Sequence, residues 1–310
     1  MIEFNPITIE TKDIYSRYLP DNTERGCETS FANLNMWGFQ QYAILYDQLI
    51  LFSLYNGHHF YSYPIGDGDR KSALEAIITD SRERNIPCCI VGLYGNAIEE
   101  LKNLYPERFS IQSDRASYDY VYDINDLADL QGRKYHKKRT HLNHFRKAFP
   151  EYRVEPLNKS NILKVKPMLE KWYHDRLAEN PDKDYHSEQA ALKRAITHYD
   201  GLNMEGLLLL DGNNYEGDNS IDKSLILAFT LGSQLSEDTF DVHFEKARWD
   251  IDGAYTVINS EFAKYIRDKY PHIKFLNREE DMGLEGLRRS KERYYPHHMI
   301  EKSRAILKEV

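Results

Sequence analysis

The stretch TFDVHFEKARWDIDGAYTVINSEFAKYIRDKYPHIKFLN, residues Thr239–Asn277, contains the pattern that decides the fold. Its first nine residues alternate apolar and polar side chains, which is typical of a strand. Apolar residues then recur at helical spacing from about Ala254 to Tyr270, and the apolar run Ile273–Asn277 predicts a second strand. A strand, a helix and a strand in this order favour a parallel pair joined by a crossover helix.

Further elements extend this unit in both directions. Upstream, the periodicity predicts a short strand at Tyr152–Leu157, helices at Ile162–Leu177 and Glu188–Tyr199, and strands at Gly206–Leu210 and Leu225–Gln234. Downstream, it predicts a helix at Leu284–Tyr294 and a last strand in the tail. The resulting order β-α-α-β-β-β-α-β-α-β is that of the N-acetyltransferase (GNAT) superfamily. In that fold an antiparallel meander parts from the next, parallel strand, and the substrate carbonyl lies in the gap.

The first half of the chain is predicted to be mixed as well. Apolar strand patterns at Tyr42–Tyr55 and His59–Ile65 flank Asn56-Gly57, a strong hairpin signal. Helices are expected at Ser72–Arg84 and at Asn96–Tyr105, where Asn96 is the expected cap, and strands at Pro87–Tyr94 and Phe109–Ile124.

The predicted fold class is therefore α+β, with two tandem acyl-CoA N-acyltransferase (GNAT)-like domains, each a mixed, mainly antiparallel sheet flanked by helices. We expect an N-terminal domain at residues 1–125. The expected C-terminal catalytic domain covers residues 126–310 and includes a basic linker helix at 133–147.

Composition excludes several classes of protein. With 310 residues and a net charge of −8, the whole chain is not a general polyanion binder. Its three cysteines, Cys27, Cys88 and Cys89, have no metal-ligand spacing, and the adjacent pair lies in an apolar run that predicts buried thiols. No apolar run approaches the length of a membrane span, and the N-terminus has no signal-peptide pattern. A cytoplasmic location is expected.

One short segment is strongly basic. Seven cations and no acid lie between Arg133 and Lys147. This segment is either a solvated helix face or a surface that concentrates a polyanion. If it binds tRNA phosphates, the candidate residues are Arg133, Lys134, Lys137, Lys138, Arg139 and Arg146.

The strand Thr239–Ala247 supplies the main catalytic candidates. Regular alternation predicts that Asp241, His243 and Glu245 share one face. If that face lines a gap in the sheet, His243 or Glu245 could take a proton from an attacking amine; if it faces solvent, the row has no chemical meaning. Lys246 is expected on the apolar face, with its ammonium reaching solvent.

Polar residues also follow the strand Ile273–Asn277. Acids in this segment could position an amine, and Asp281 is counted as a candidate catalytic residue. Arg288 and Lys291 are three residues apart on a predicted helix, so one phosphate or carboxylate could meet both; the alternative is salt bridges within the chain to Glu279 or Glu280. The candidate substrate-binding residues are Asn277, Arg278, Glu279, Arg288, Lys291 and Tyr294.

Evidence for a cofactor or a metal is weak. Gly253 precedes a predicted helix whose N-terminus could bind a pyrophosphate, but Asp250 and Asp252 would repel one. The segment also lacks the repeated glycines of an acetyl-coenzyme A loop, and the histidines never fall in a metal-binding spacing. The prediction is no metal and no cofactor, with acetyl-coenzyme A as the alternative.

Three motifs together resemble a known family. They are Leu130–Arg139 (LQGRKYHKKR), His243–Ala247 (HFEKA) and Asn277–Arg288 (NREEDMGLEGLR). They are similar to segments of an uncharacterised bacterial family related to the C-terminal catalytic domain of the phosphatidylglycerol lysyltransferases. The resemblance covers nearly the whole chain. It implies a tandem acetyltransferase-like fold, shared with the peptidyltransferases that build cell-wall cross-bridges, and an aminoacyl-tRNA donor.

The resulting functional hypothesis is acyl transfer, with an aminoacyl group moving from aminoacyl-tRNA to an amine or hydroxyl acceptor. Because the lipid-modifying relatives have membrane helices that this chain lacks, a soluble acceptor is as well supported as a lipid head group. The first alternative is an acetyl-coenzyme A-dependent N-acetyltransferase. The second is a non-catalytic nucleic-acid or partner-binding protein on a degenerate transferase scaffold.

Overall fold

A computed structural model of the chain describes residues 1–19, 25–55, 57–179, 185–212 and 226–308. The chain divides into two compact units. The first unit contains Met1–Asp119, Glu280–Arg289 and Met299–Val310, and the second contains Tyr120–Glu279 and Ser290–His298. The division is thus more complex than the single cut expected after residue 125, because the chain returns twice to the first unit.

The described residues contain the following elements. The strands are β1 (Asn5–Pro6), β2 (Gln40–Leu45), β3 (Gln48–Tyr55), β4 (His58–Ser62), β5 (Cys89–Leu93), β6 (Phe109–Ser113), β7 (Asp119–Asp123), β8 (Arg153–Pro156), β9 (Glu205–Leu210), β10 (Ile226–Gln234), β11 (Thr239–Ala247), β12 (Phe275–Asn277), β13 (His298–Ile300) and β14 (Ser303–Leu307). The helices are α1 (Lys12–Tyr18), α2 (Phe31–Trp37), α3 (Arg70–Glu83), α4 (Ala97–Leu104), α5 (Ile124–Asp129), α6 (His136–Ala148), α7 (Val165–Glu179), α8 (His186–Thr197), α9 (Ala254–Lys269) and α10 (Glu285–Glu292).

The first sheet has the strand order β1-β2-β3-β4-β5-β14-β6. Only β4 and β5 are parallel among its described pairs. The tail strand β14, predicted to continue the C-terminal series, instead lies between β5 and β6. Its Ala305 is fully buried in the same apolar core as Ile90 and Ile77, so burial of this side chain favours the insertion.

Two local predictions in the first unit were wrong. The stretch Tyr42–Tyr55 forms two strands rather than one, because Tyr46 and Asp47 both adopt positive φ and make a tight turn between β2 and β3. The expected β3–β4 hairpin is present, although Asn56 lies outside the described residues. Asn96 precedes α4 as predicted, but its side chain makes no capping hydrogen bond.

The adjacent cysteines of the first unit are buried, as the sequence predicted. Cys88 and Cys89 are both buried, and none of the three cysteines, all of which the structure describes, forms a disulfide. Burial raises the pKa of Cys88 to about 11 and also raises that of Cys89, which keeps both thiols protonated and unreactive near neutral pH.

The second sheet has the order β13-β7-β12-β11-β10-β9-β8. Strands β8 to β11 form an antiparallel meander, and β12 pairs parallel to β11. The predicted strand Phe109–Ile124 is in fact two, of which β7 pairs antiparallel with β12 on the side away from β11. The central element order predicted for the GNAT fold is therefore present, and β12 is an internal strand.

Helix α9 packs on this sheet through its apolar face. Val257, Ile258, Phe262 and Ile266 are all buried, and the Phe262 ring lies 5.9 Å from that of Phe240 on β11. The helix begins after Gly253, whose φ of 83° is left-handed. A Cβ at this position would lie 2.3 Å from the carbonyl oxygen of His141 on α6, so glycine lets α6 approach the start of α9.

Candidate functional site

Strands β11 and β12 part within the second sheet. Their pairing ends at Asp241 opposite Asn277, whereas β11 continues to Ala247. In the described part of the chain, no strand lies beside β11 on this side after Asp241. The edge of β11 from Val242 onward therefore has no strand partner among the described residues, and we call this gap in the strand pairing the opening beside β11.

A β-bulge at His243 changes which way the side chains of β11 point. Leu231 of β10 pairs with Phe244, while the next residue, Gly232, pairs with Val242, so His243 is an extra residue in the ladder. A Cβ at Gly232 would lie 2.3 Å from the carbonyl oxygen of Asp241, which only glycine avoids. The expectation that Asp241, His243 and Glu245 share one face rests on unbroken alternation, and the bulge breaks it.

The contacts of β11 agree with this break. Phe240 packs on Phe262 of α9, and Glu245 accepts a hydrogen bond from Asn259 of the same helix, although a regular strand would point residues 240 and 245 to opposite faces. The prediction that the Lys246 ammonium reaches solvent was wrong. Its ammonium is buried 2.6 Å from Glu188 Oε1 and 3.7 Å from the centre of the Trp172 ring.

His243 is fixed by two hydrogen bonds. Its Nδ1 lies 3.1 Å from Glu279 Oε1 and 3.5 Å from Asp241 Oδ2, and its Nε2 lies 2.8 Å from Ser233 Oγ. The side chain is 1% exposed. Because both ring nitrogens are engaged and the ring is enclosed, this geometry favours a role in holding Glu279 over direct proton transfer with a substrate.

Glu245 lies farther along the opening and is held by two donors. Its Oε1 accepts from Arg278 Nη2 at 2.9 Å, and its Oε2 accepts from Asn259 Nδ2 at 3.1 Å. The residues at 243–245 thus meet those at 278–279, which is the convergence that a catalytic role for either segment requires.

Buried polar atoms without partners surround this carboxylate. Among the described residues, no hydrogen-bond partner is found for Arg278 Nη1, Asn259 Oδ1 or Thr230 Oγ1. Thr230 is the cross-strand neighbour of Glu245 on β10. Since buried polar groups are nearly always paired, these three atoms mark a place where a polar ligand or water would bind.

The turn after β12 is held in a strained conformation. Glu279 has a φ of 57°, and its N–H donates to Asn277 Oδ1 at 2.7 Å. The buried Lys291 ammonium donates to the carbonyl oxygens of Arg278 and Glu279. Asn277 and Lys291, both predicted to bind substrate, therefore hold the backbone that aims Arg278 and Glu279 at β11.

Asp281 and Arg288 belong to the first unit and not to this cluster. The fully buried Asp281 accepts from Arg288 Nε at 2.8 Å and from the N–H of Gly283 at 2.8 Å. Arg288 thus pairs with Asp281 rather than with Glu279 or Glu280, and the described hydrogen bonds of Lys291 go to backbone carbonyls, so neither contact is the predicted one.

The basic segment divides into two groups of side chains. Arg133, Lys134, Lys137 and Arg146 are exposed as predicted, although Lys134 also pairs with Asp126 at 2.7 Å. Arg139 donates to the carbonyl oxygens of Leu130 and Gly132. Lys138 is turned inward, where its ammonium lies 3.4 Å from the centre of the buried Tyr294 ring. These last two residues do not belong to the exposed basic surface.

Helix α6 also covers the proposed pyrophosphate position at the start of α9. Asp252, next to Gly253, lies 2.7 Å from His141 Nδ1 and 3.3 Å from His144 Nδ1. An anion at this helix end would meet a carboxylate and the neighbouring helix. This arrangement disfavours coenzyme A binding in the usual way.

Among the residues that the structure describes, two groups of side chains have the spacing to hold a metal ion. Donor atoms of Asp241, His243 and Glu279 all lie within 4.8 Å of one another, and the hydrogen bond between His243 and Glu279 accounts for the approach of those two. Cys27, Asp119 and Glu280 form a similar group in the first unit. There the Lys302 ammonium lies 2.6 Å from Asp119 Oδ1 and already supplies a positive charge. The expected absence of a metal stays a prediction.

Sequence reasoning missed Ser233, Thr230 and Asn259. Each is a buried polar residue on an otherwise apolar strand or helix face, and this pattern could have identified them. Gly232 inside a strand pattern could likewise have indicated the bulge.

Comparison with known proteins shows the family of the chain. Residues 21–306 match the family model described as phosphatidylglycerol lysyltransferase, C-terminal. The chain belongs to this family. A solved structure of a conserved protein of unknown function from Bacteroides thetaiotaomicron is 35% identical, with a TM-score of 0.87 and coverage of 99% of this chain and 100% of that one.

Two further relatives are more distant. The structure of L-PGS from Bacillus licheniformis is 14% identical, with a TM-score of 0.65 and coverage of 100% of this chain and 95% of that one, and it shows the shared fold. An uncharacterized protein of Mycoplasmoides gallisepticum is 25% identical over 210 residues, which are 68% of this chain and 62% of that protein. This chain thus spans less than two thirds of that relative.

Membership of the phosphatidylglycerol lysyltransferase C-terminal family confirms the tandem GNAT-like α+β fold class. Within the part of the chain that the structure describes, no helix is long and apolar enough to cross a membrane.

Proposed function

We propose that this protein transfers an aminoacyl group from aminoacyl-tRNA to an amine or hydroxyl acceptor. The observation that carries this proposal is the opening beside β11, where Glu245 meets Arg278 and His243 meets Glu279. Family membership adds support, since the matching family is named for lysyl transfer. The acceptor is a soluble molecule or a lipid head group.

The chemistry requires little beyond alignment. An aminoacyl ester is already activated, so the protein must hold the acceptor close to the carbonyl and stabilise the oxyanion. The free edge of β11 supplies backbone N–H donors for the oxyanion. Glu245 takes the proton of the acceptor and returns it to the ribose oxygen of the tRNA when the ester bond breaks, while Arg278 and Asn259 hold its carboxylate in place. His243, Glu279, Asn277 and Lys291 position these groups.

A direct assay tests the proposal. Bulk tRNA charged with labelled amino acids is mixed with the protein and a fractionated bacterial extract, and the label is followed from RNA into other molecules. Transfer that needs both an extract fraction and the protein supports the proposal. Label that leaves the RNA only as free amino acid, at the rate seen without protein, contradicts it.

The exposed part of the basic segment is proposed to bind tRNA phosphates. Replacing Arg133, Lys137 and Lys147 together by glutamine should reduce the slope of log affinity for tRNA against log salt by about 2 to 3, because about that many phosphate contacts are lost. Filter binding over a series of salt concentrations measures the slope.

The matched control replaces Lys166, Lys171 and Lys193, three exposed lysines elsewhere in the second unit, and changes the net charge equally. Equal slopes for the two triple variants would show that only total charge matters, and would remove the segment from the tRNA surface.

The acetyl-coenzyme A alternative has the fold in its favour and the covered start of α9 against it. Calorimetry with coenzyme A separates the two donors. Saturable micromolar binding would favour acetyl transfer, whereas no heat of binding agrees with an aminoacyl-tRNA donor.

A further inference from the structure

Two cationic side chains of the second unit lie against one aromatic ring. The Lys138 ammonium is 3.4 Å from the centre of the Tyr294 ring, and the Arg278 guanidinium carbon is 4.9 Å from it, so the two cations are no more than about 8 Å apart. Tyr294 is buried, and Lys138 is half-buried. Such cations have lost much of their hydration and favour a counter-charge.

Both cations have unused hydrogen-bonding capacity. Arg278 uses Nη2 for Glu245, but its buried Nη1 has no hydrogen-bond partner among the described residues. Lys138 likewise has no hydrogen bond or ion pair with any residue that the structure describes; its contact is with the ring. Unused donors on two cations are the arrangement expected where an anion binds.

The local charge balance also favours an anion. The charged groups that act on Lys138 come from three elements: Arg278 after β12, Glu245 on β11 and Arg293 after α10. Together with Lys138 these are three cations and one carboxylate. A single added anion brings the cluster closer to neutrality without displacing the Glu245–Arg278 pair.

We propose that the Lys138 ammonium and the free Nη1 of Arg278 form a binding site for a tetrahedral oxyanion, the phosphate group of a substrate, beside the Tyr294 ring. Which substrate carries the phosphate rests on the proposed function, whereas binding of the anion itself does not.

Binding at this site is coupled to protonation. Burial and the positive charge of Arg278 lower the pKa of Lys138 to about 7. A bound anion favours the charged ammonium and raises this pKa again, so the protein takes up a proton when the anion binds above pH 7. Affinity is therefore highest below pH 7 and falls by up to tenfold for each pH unit above it.

Sulfate is the suitable probe, because its charge does not change near neutral pH whereas that of a phosphate ester does. Calorimetry at constant ionic strength should show binding up to about 30-fold weaker at about pH 8.5 than at about pH 6, the ratio expected for an amine with a pKa near 7. No saturable binding at either pH, or equal affinity at both, would overturn the proposal.

Three variants make the result specific. Lys138→Arg keeps a permanent charge, so it should bind sulfate with little dependence on pH, an outcome that a misfolded protein cannot give. Lys138→Met should bind weakly at both pH values. Lys193→Met removes an exposed charge from α8 of the same unit and should bind as the unchanged protein does. Equal losses in the Lys193 and Lys138 methionine variants would overturn the proposal.

Displacement of sulfate then identifies the source of the phosphate. The trinucleotide CCA represents the donor end, and methyl phosphate represents a small acceptor. If CCA or methyl phosphate displaces sulfate, and this displacement is lost in the Lys138→Met variant, the site is supported and its occupant is identified. If sulfate binds but neither compound displaces it, the assignment of the site to a substrate phosphate would be overturned. Because these measurements need no catalysis, failure of the transfer assay leaves them interpretable.

Discussion

Replacing Lys302 by methionine is expected to lower the free energy of unfolding by about 3–5 kcal/mol. The buried Lys302 ammonium lies 2.6 Å from Asp119 Oδ1 and 2.6 Å from Glu28 Oε2 in the first unit. Asp119 is fully buried and also accepts from the N–H of Cys27 at 2.7 Å. Without the lysine, the Asp119 carboxylate loses its cation in a place that water does not reach.

The pH dependence of this loss follows from the pKa of each group. Burial by itself would lower the pKa of Lys302. The negative charges nearby have the larger combined effect and raise this pKa well above its usual value; they come from Asp119, Cys27, Glu28 and Glu280. The stabilisation by Lys302 is thus complete below about pH 10 and is lost only at higher pH. Burial raises the pKa of Glu28, so in the variant Glu28 can take up a proton as pH falls. The deficit should be smaller near pH 5 than near pH 8.

Chemical unfolding followed by circular dichroism measures the effect. Lys308→Met removes an exposed lysine from the same tail and should change the free energy of unfolding by less than about 0.5 kcal/mol. Adding Asp119→Asn to Lys302→Met should restore part of the loss, because one uncompensated charge is removed. Equal unfolding midpoints for the Lys302 and Lys308 variants would contradict the importance of the buried charge cluster.

Replacing Glu245 by glutamine is expected to lower the rate of aminoacyl transfer by about 10²–10⁴-fold, with a smaller change in substrate affinity. Glutamine has nearly the shape of glutamate, and its amide oxygen can still accept from Arg278 Nη2 or Asn259 Nδ2. It cannot take the proton of the acceptor. The loss should therefore appear in the turnover rate of saturated enzyme.

Glu170→Gln is the matched control, since Glu170 is exposed on α7 in the same unit. Its transfer rate should equal that of the unchanged protein. A Glu245→Gln protein that is folded and fully active would exclude Glu245 as the proton acceptor. If no variant of the β11 opening changed any measurable function, the non-catalytic scaffold hypothesis would be favoured instead.

The candidate site was predictable in part. The strand and turn that carry Glu245 and Arg278 follow from periodicity and from polar residues after an apolar strand, because both patterns are local. The directions of the side chains were not predictable. One extra residue at His243 reverses the alternation, and it is visible only in the pairing with Gly232. Lys138 is likewise indistinguishable from Lys137 in the sequence, and only the position of Tyr294 selects it.

Which strand belongs to which sheet was likewise not predictable from local patterns. Strand β14 has an ordinary alternating pattern, and its place between β5 and β6 depends on partners that lie far away in the chain. The periodicity of Phe109–Ile124 predicts one strand, but β6 pairs with β14 in the first sheet and β7 pairs with β12 in the second. Apolar periodicity does not show to which sheet each part belongs.

The sequence by itself determined the fold class, the central order of elements and the segments that contain the chemistry, because these depend on local spacing of apolar and polar residues. The tertiary structure alone decided which charges are buried, which cations remain unpaired and which side chains meet across the opening beside β11. Those properties arise from contacts between residues that are distant in the chain. A shift of a strand by one residue, or of a helix by one turn, would give each of its side chains a different partner.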